Sequence, residues 1–350
     1  MNNNCGGRRL RLFAALFIGR RTIMKENYAK DKVLLLLKGS NDYISGEELS
    51  KRMGITRSAI WKYIKALRGE GYEIDSVTNK GYKLINSTGV LNAMELEEGL
   101  QTKVLGKRLV FLQSVDSTNQ EVKRLAAQDA PHGTVVVAEQ QLTGKGRLGR
   151  VWSSPPGTGI WFSFLLRPQL PPSKVSGITL AAGLGVCMAI RQYTGLNALI
   201  KWPNDVIIGN KKVCGILTEM TAEDNRIDYA VVGIGINVNT KEFDAEIRSK
   251  ATSLSIEAGS DINRAELFKT VLKYVEHYID LYLTDLEKGI LPQYTGLCAT
   301  IGRRVRVVRG SSTLEGEAVS IGSHGDLNVR LDGGSIVAVN SGEVTVQGIY

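Results

Sequence analysis

The segment Gly144-Lys145-Gly146-Arg147-Leu148-Gly149-Arg150 sets three glycines and three cations into seven residues. Glycine admits positive φ and lets backbone N–H groups turn toward a ligand, while the cations offset several negative charges at once. The spacing also satisfies G-x-G-x-x-G. A dinucleotide fold, however, needs a helix to start at the loop so that its N-terminus holds the pyrophosphate. Here Val151-Trp152-Ser153-Ser154-Pro155-Pro156-Gly157 follows, and two prolines with a glycine do not open a helix. Lys145 and Arg147 would also crowd a cofactor packed on the glycines. The segment is therefore expected to be an anion-gripping loop between strands.

The rest of the chain must supply what surrounds that loop. Its 350 residues, 43% of them hydrophobic, suffice for two or three domains with real cores. The formal charge of +9 is unevenly spread. Residues 1–23 hold Arg8, Arg9, Arg11, Arg20 and Arg21 without an acid; residues 24–90 carry the remaining excess, and the chain from 91 onward is neutral. A polyanionic partner would thus meet the N-terminal part. Cys5, Cys187, Cys214 and Cys298 form no C-x-x-C pair, which suits a reduced, cytoplasmic setting with Cys187 and Cys214 as small core residues. His132, His277 and His324 have no spacing that would make a metal site. The apolar run 12–18 is short of the ~20 residues of a membrane span and lacks a small-residue cleavage site. Residues 1–23 are expected to be a disordered or spurious extension, and no membrane association is expected.

Three modules follow: 24–88, 91–293 and 296–350. In the first, Ser45 and Glu48 form a capping box for a helix that Gly54 ends, and Thr56 caps a second helix with Ile60, Ile64 and Leu67 on its buried face. Arg57, Ser58, Trp61, Lys62 and Lys65 lie elsewhere on that helix. Residues 72–77 and 81–84 read as a hairpin with Lys80 at its turn. A helix-turn-helix with a basic second helix and a wing points to DNA, against a helical protein-interaction domain with an ordinary solvated face. The last module has strand candidates at 305–308, 315–321, 327–331 and 335–339, and reads as a small SH3-like β-barrel with nothing catalytic in it.

Four segments of the middle module place polar residues where a core strand would not need them. Asp116-Ser117-Thr118-Asn119 leads into a helix, with Thr118 and Glu121 spaced as a second capping box. Glu139-Gln140-Gln141 ends the buried run 135–137. Lys201-Trp202-Pro203-Asn204-Asp205 gathers a lysine, an amide and a carboxylate that are costly to bury unless paired, and Lys212 opens the return strand. Gly233 and Gly235 permit close backbone approach ahead of Asn237.

These segments, in this order, resemble the biotin–protein ligases, and residues 28–350 resemble the bifunctional kind that also represses the biotin operon. The resemblance implies a multidomain α/β (α+β) chain: an N-terminal winged helix-turn-helix, a central class II synthetase-like α/β ligase core, and the C-terminal SH3-like barrel. It implies biotin contacts from Ser117, Thr118, Asn119, Gln140, Lys145, Gly146, Arg147 and Lys212. Nucleotide contacts fall on Gly144, Lys145, Arg147, Trp152, Lys201, Asn204 and Asn237. Lys212, Arg147 and Asp205 are the implied catalytic set, with ATP, biotin and Mg²⁺ as substrates, Mg²⁺ at most indirectly near Asp205. The implied partners are the carrier domain of a biotin-dependent carboxylase, operator DNA contacted by Arg57, Ser58, Trp61, Lys62, Lys65 and Lys80, and a second copy of the chain when adenylate is bound.

The residue chemistry suits that reaction. A carboxylate attacking the α-phosphate brings two anions together, and positioned cations stabilise the charge that develops. Lysine at 145 and leucine at 148, where the family often has arginine, keep one charge without its bidentate fork and remove another. Two alternatives remain at this level: a lipoate or octanoate ligase, which would have an apolar acid pocket, and a transcription factor that senses a ligand without catalysis.

Overall fold

The structure is a computed structural model that describes residues 29–86, 89–224, 226–285, 289–310, 312–340 and 342–350. The expectation for residues 1–23 lies outside the described residues. Two compact units divide at Val90 and Leu91.

In the first unit, helix α1 spans 29–38, α2 spans Gly46–Met53 and α3 spans Arg57–Gly69. Ser45 accepts from the Glu48 N–H to start α2, and Gly54, at φ 66°, ends it. Thr56 accepts from the Ala59 N–H to start α3. Such caps satisfy donors that the first turn leaves unpaired, each worth about 1 kcal/mol. Ile60, Ile64 and Leu67 are buried with Val33, Leu34, Leu37 and Leu49, so the 3.6-residue period of α3 marks its inner face as expected. Strands β1 (Glu73–Val77) and β2 (Gly81–Asn86) pair antiparallel through a turn in which Asn79 takes φ 66°.

The second unit holds a seven-stranded sheet of order β3-β4-β5-β9-β8-β7-β6. Its strands are β3 (Leu109–Leu112), β4 (Val135–Ala138), β5 (Gly159–Leu166), β6 (Ala198–Lys201), β7 (Asp205–Ile208), β8 (Lys211–Glu223) and β9 (Arg226–Asn237). Only β3 and β4 run parallel within it. Helices α6 (Val175–Thr194) and α8 (Arg264–Thr284) cover one face; α5 (Thr118–Ala126) lies on the other, and α4 (Ala93–Glu97) and α7 (Leu254–Ala258) are single short turns of helix. The strand period of two splits the residues accordingly. Val135, Val137, Phe162 and Phe164 join the α6–α8 core, while Val136, Leu165 and Val231 pack under Val122 and Ala126 of α5. Strands covered on both faces read as continuous apolar runs, which is why β4 and β5 are buried at every position. Helix α6 is long and apolar enough to cross a membrane, but most of it is buried in this core. It meets α8 closely: a Cβ on Gly185 would stand 2.7 Å from the Val275 Cα.

The tail forms an antiparallel sheet of order β13-β12-β11-β10-β14, with β10 at Arg304–Arg309, β11 at Ser312–Ile321, β12 at Leu327–Arg330, β13 at Ile336–Val339 and β14 at Glu343–Val346. Strand β14 was not among the sequence expectations. The sheet docks on the core around Trp202, whose Nε1 donates to the Gly325 carbonyl (3.0 Å) and whose N–H donates to Thr300 Oγ1 (3.0 Å).

Candidate active site and DNA interface

The register of the large sheet prepares a trough on its α5 face. Across β5, β9 and β8 it aligns Ser163, Gly233 and Leu217 in one row, and Trp161, Gly235 and Gly215 in the next. The three glycines leave space that other side chains enter. Asn119 sits on Gly233, where an added Cβ would come within 2.1 Å of its Oδ1. Trp152 lies across Gly235 and Gly215, at 2.5 and 2.9 Å by the same measure. Its ring also meets Trp161 edge-on, with centroids 6.4 Å apart.

The start of α5 forms one end of the trough. Ser117, Thr118 and Asn119 are buried. The spacing of Thr118 and Glu121 as a capping box is not realised. Ser117 occupies the cap position without a side-chain bond, and Glu121 pairs with Arg124. The Thr118 N–H and hydroxyl instead donate to Gln141 Oε1, at 2.9 and 3.1 Å. Ser163 Oγ stands 2.6 Å from both Thr118 Oγ1 and Asn119 Oδ1, and Asn119 Nδ2 donates to Glu219 (2.7 Å). Lys123 pairs with the other Glu219 oxygen at 2.6 Å, and despite burial these donors hold the Glu219 carboxyl below its ordinary pKa. Gln141, not Gln140, therefore lines the site. The bridges of Gln141 to Val115 and Ser154 turn it inward, and Gln140 lines neither of the two cavities found here.

The glycine loop crosses above the trough. It is a turn between β4 and β5 with no α-helix, as its prolines imply. Trp152 N–H donates to Gly144 O (2.9 Å), and Gly146 N–H donates to Arg150 O (2.7 Å). A Cβ on Gly144 would strike the Trp152 carbonyl at 2.4 Å, so this glycine closes the loop and lines neither cavity. Leu148, at φ 56°, and Val151 are exposed. Arg147 reaches inward, donating to Asn204 Oδ1 (2.9 Å) and to the Gly342 carbonyl (3.0 Å).

The turn after β6 completes the set. Asn204 is held by Ile216, donating from Nδ2 to its carbonyl (3.0 Å) and accepting its N–H on the backbone carbonyl (2.9 Å). Lys212 Nζ forms an ion pair with Asp205 at 2.5 Å and lies 5.2 Å from the Trp152 ring centroid. Lys201 is buried, and desolvation pulls its ammonium down to about 8 against the opposing pull of Asp205. Asn237 Nδ2 donates to Thr252 O (3.1 Å).

Two cavities occupy this arrangement. A narrow one of about 50 Å³ is lined by Ser117, Thr118, Asn119, Gln141 and Lys145. A larger one of about 730 Å³ takes in Lys201, Asp205, Asn237, Phe243 and Ile247. Gly146, Arg147, Trp152, Asn204 and Lys212 line both. A polar pocket thus opens through a belt of cations into a chamber of nucleotide size. Gly342, Glu343 and Tyr350 from the tail also line the chamber, which the sequence did not lead one to expect of this module. Sequence reasoning missed these, together with Ser163, Glu219 and the 240–251 segment, because only long-range pairing brings them in.

In the first unit, Arg57, Ser58, Trp61, Lys62 and Lys65 are exposed on α3. The Lys65 ammonium lies 5.4 Å from the Trp61 ring centroid. At the wing, Lys80 and Lys83 both stand 5.9 Å from the ring of Tyr43, whose hydroxyl donates to Asp75. Lys83 and Tyr43 extend the basic surface beyond the residues the sequence singled out.

Comparison with known proteins finds a family match for each of the three modules. Residues 111–237 match the biotin/lipoate A/B protein ligase family, 29–83 an HTH domain, and 300–346 the biotin protein ligase C-terminal domain. The core is thus of the biotin/lipoate protein ligase class. The bifunctional ligase/repressor BirA of Bacillus subtilis is 39% identical over 89% of this chain and 96% of its own length; that of Escherichia coli is 29% identical over 89% and 95%. The biotin protein ligase of Aquifex aeolicus, solved with biotin and ATP, superposes with a TM-score of 0.61 at 34% identity, covering 69% of this chain and 99% of that one. The chain belongs to the family of bifunctional biotin ligase/repressors.

Proposed function

We propose that the narrow polar pocket, which Lys145 lines, receives the ring of biotin and the large chamber receives MgATP, with Arg147 and Lys212 between them. The observation that supports this is the set of five residues common to both cavities. In this reading the biotin carboxylate attacks the α-phosphorus, a new O–P bond forms, and the bond to the β-phosphate oxygen breaks to release pyrophosphate. Lys212 and Arg147 offset charge on the phosphoryl oxygens. Asp205 orients Lys212 through their ion pair. An acceptor lysine amine then attacks the acyl carbon, and AMP leaves. Mg²⁺ enters with the triphosphate, as its preference for phosphate and water ligands favours.

The polar lining from Ser117, Thr118, Asn119 and Gln141 suits a ureido ring and disfavours lipoate or octanoate. The acceptor is the carrier domain of a biotin-dependent carboxylase, and the setting is cytoplasmic. The functional division follows 24–88 for DNA, 91–293 for ligation and 296–350 for the barrel. Adenylate favours a homodimer, which presents two helix-turn-helix units to paired operator half-sites. Mass spectrometry of a carrier domain incubated with the protein, biotin and MgATP tests the ligase: one biotinyl group is gained, and none without ATP. Operator affinity that is the same with and without biotin and MgATP would refute the regulatory part.

A further inference from the structure

Tyr350 reaches the chamber from outside every segment that defines the ligase core. Ile349 beside it is buried and bridges Val346, and the Tyr350 N–H donates to Asn210 O (3.2 Å), so the residue is tied both to the barrel and to the β7–β8 turn. Its hydroxyl donates to Asp205 Oδ2 at 2.5 Å, while Asp205 Oδ1 faces Lys212 at 2.5 Å. Its ring covers the Lys201 ammonium at 3.5 Å from the centroid. One side chain therefore touches both charged ends of the Lys201–Asp205 motif.

Resting on the ligase reading above, we propose that Tyr350 is a positioning residue for adenylate formation, fixing one oxygen of Asp205 so that the other holds Lys212 toward the reacting phosphate. A carboxylate on a short stem can rotate about χ2, and a donor on one oxygen removes that freedom. The ring supplies a second service: it shields Lys201 from water and attracts its charge. The barrel is in this way part of the catalytic arrangement. Tyr350 acts through Asp205 and Lys201, and substrate contact is not required of it.

The test compares Tyr350→Phe and Tyr350→Ala with the wild-type full chain, following pyrophosphate release with biotin and MgATP and thermal melting in parallel. Tyr350→Phe keeps the ring and loses the hydroxyl. It should lower kcat for adenylate formation about tenfold, with both KM values within twofold of wild type and an unchanged Tm. Tyr350→Ala should lose a further severalfold and raise KM for MgATP. A Tyr350→Phe enzyme with wild-type kcat overturns the assignment. So does one whose kcat falls only in step with its Tm, since that is a structural role. A wild-type chain that releases no pyrophosphate overturns the ligase reading itself, and this assignment with it.

Discussion

Thr118 gives both its backbone N–H and its hydroxyl to one oxygen, Oε1 of Gln141. The amide nitrogen of Gln141 is engaged as well, by Ser154 Oγ at 2.9 Å. Replacing Gln141 with alanine leaves buried donors unpaired, at about 1–3 kcal/mol. Biotin affinity should fall ten- to a hundredfold in calorimetry of Gln141→Ala, whereas Gln140→Ala should bind within twofold of wild type. Equal losses in the two variants would return the role to the pair as a whole.

Gly233 is a space requirement and not a turn. A methyl there meets Asn119 Oδ1 far inside van der Waals contact, and overpacking of this kind costs about 1–3 kcal/mol. Gly233→Ala should stay folded but lose adenylate formation by more than tenfold, because Asn119 must leave the trough. A variant with unchanged biotin KM would contradict that account.

On the proposed reading, Lys201 should give the reaction a pH signature. Burial lowers its ammonium to about 8. Above that pH the free enzyme loses a cation from the chamber, so kcat/KM for MgATP should fall along a limb near pH 8. Lys201→Arg, which stays charged, should move that limb upward. The stability sign is opposite. Below about 8 both folded and unfolded lysine are protonated and the folded chain bears the full cost of burying charge. Between there and the unfolded value only the unfolded state holds the proton, so this group's contribution to stability rises with pH. A flat profile between pH 7 and 9 would exclude Lys201 as the titrating cation.

Mutation should separate the proposed DNA surface from the ligase. Lys80→Ala should weaken operator binding uniformly across sequences and reduce the salt slope by about one. Trp61→Ala, which removes an exposed aromatic ring from α3, should lower affinity for the operator more than for random DNA. Biotinylation rates should be those of the wild type in both. Electrophoretic mobility shifts over a salt series make the measurement.

Arg264 and Glu139 form a buried pair at 3.0 Å, and each also holds the backbone of the 157–159 turn: Glu139 accepts from Gly157 N–H, and Arg264 donates to Gly159 O. Removing one member strands the other charge, at about 3–5 kcal/mol. Urea unfolding of Arg264→Ala should show a loss of that size, and a loss below about 1 kcal/mol would class the pair with surface bridges.

What could be read from the residues alone was what local chemistry decides. The caps at Ser45 and Thr56, the inner face of α3 and the refusal of the glycine loop to start a helix each depend on a few neighbouring residues. Gln140 and Gln141 are chemically the same, and only the bridges to Val115 and Ser154 say which one turns inward. Thr118 and Glu121 carry capping spacing, yet partners from β5 and the Gln141 strand end claim the threonine. Tyr350 carried no local signal, because its partners Asp205 and Lys201 lie far away in the chain.

On the proposed reading, the five residues that line both cavities are shared by biotin and the nucleotide. A ligand that fixes Arg147, Trp152 or Lys212 from one space would change the free energy of filling the other. By thermodynamic reciprocity the two acid and nucleotide affinities must then move by the same factor, whichever arrives first.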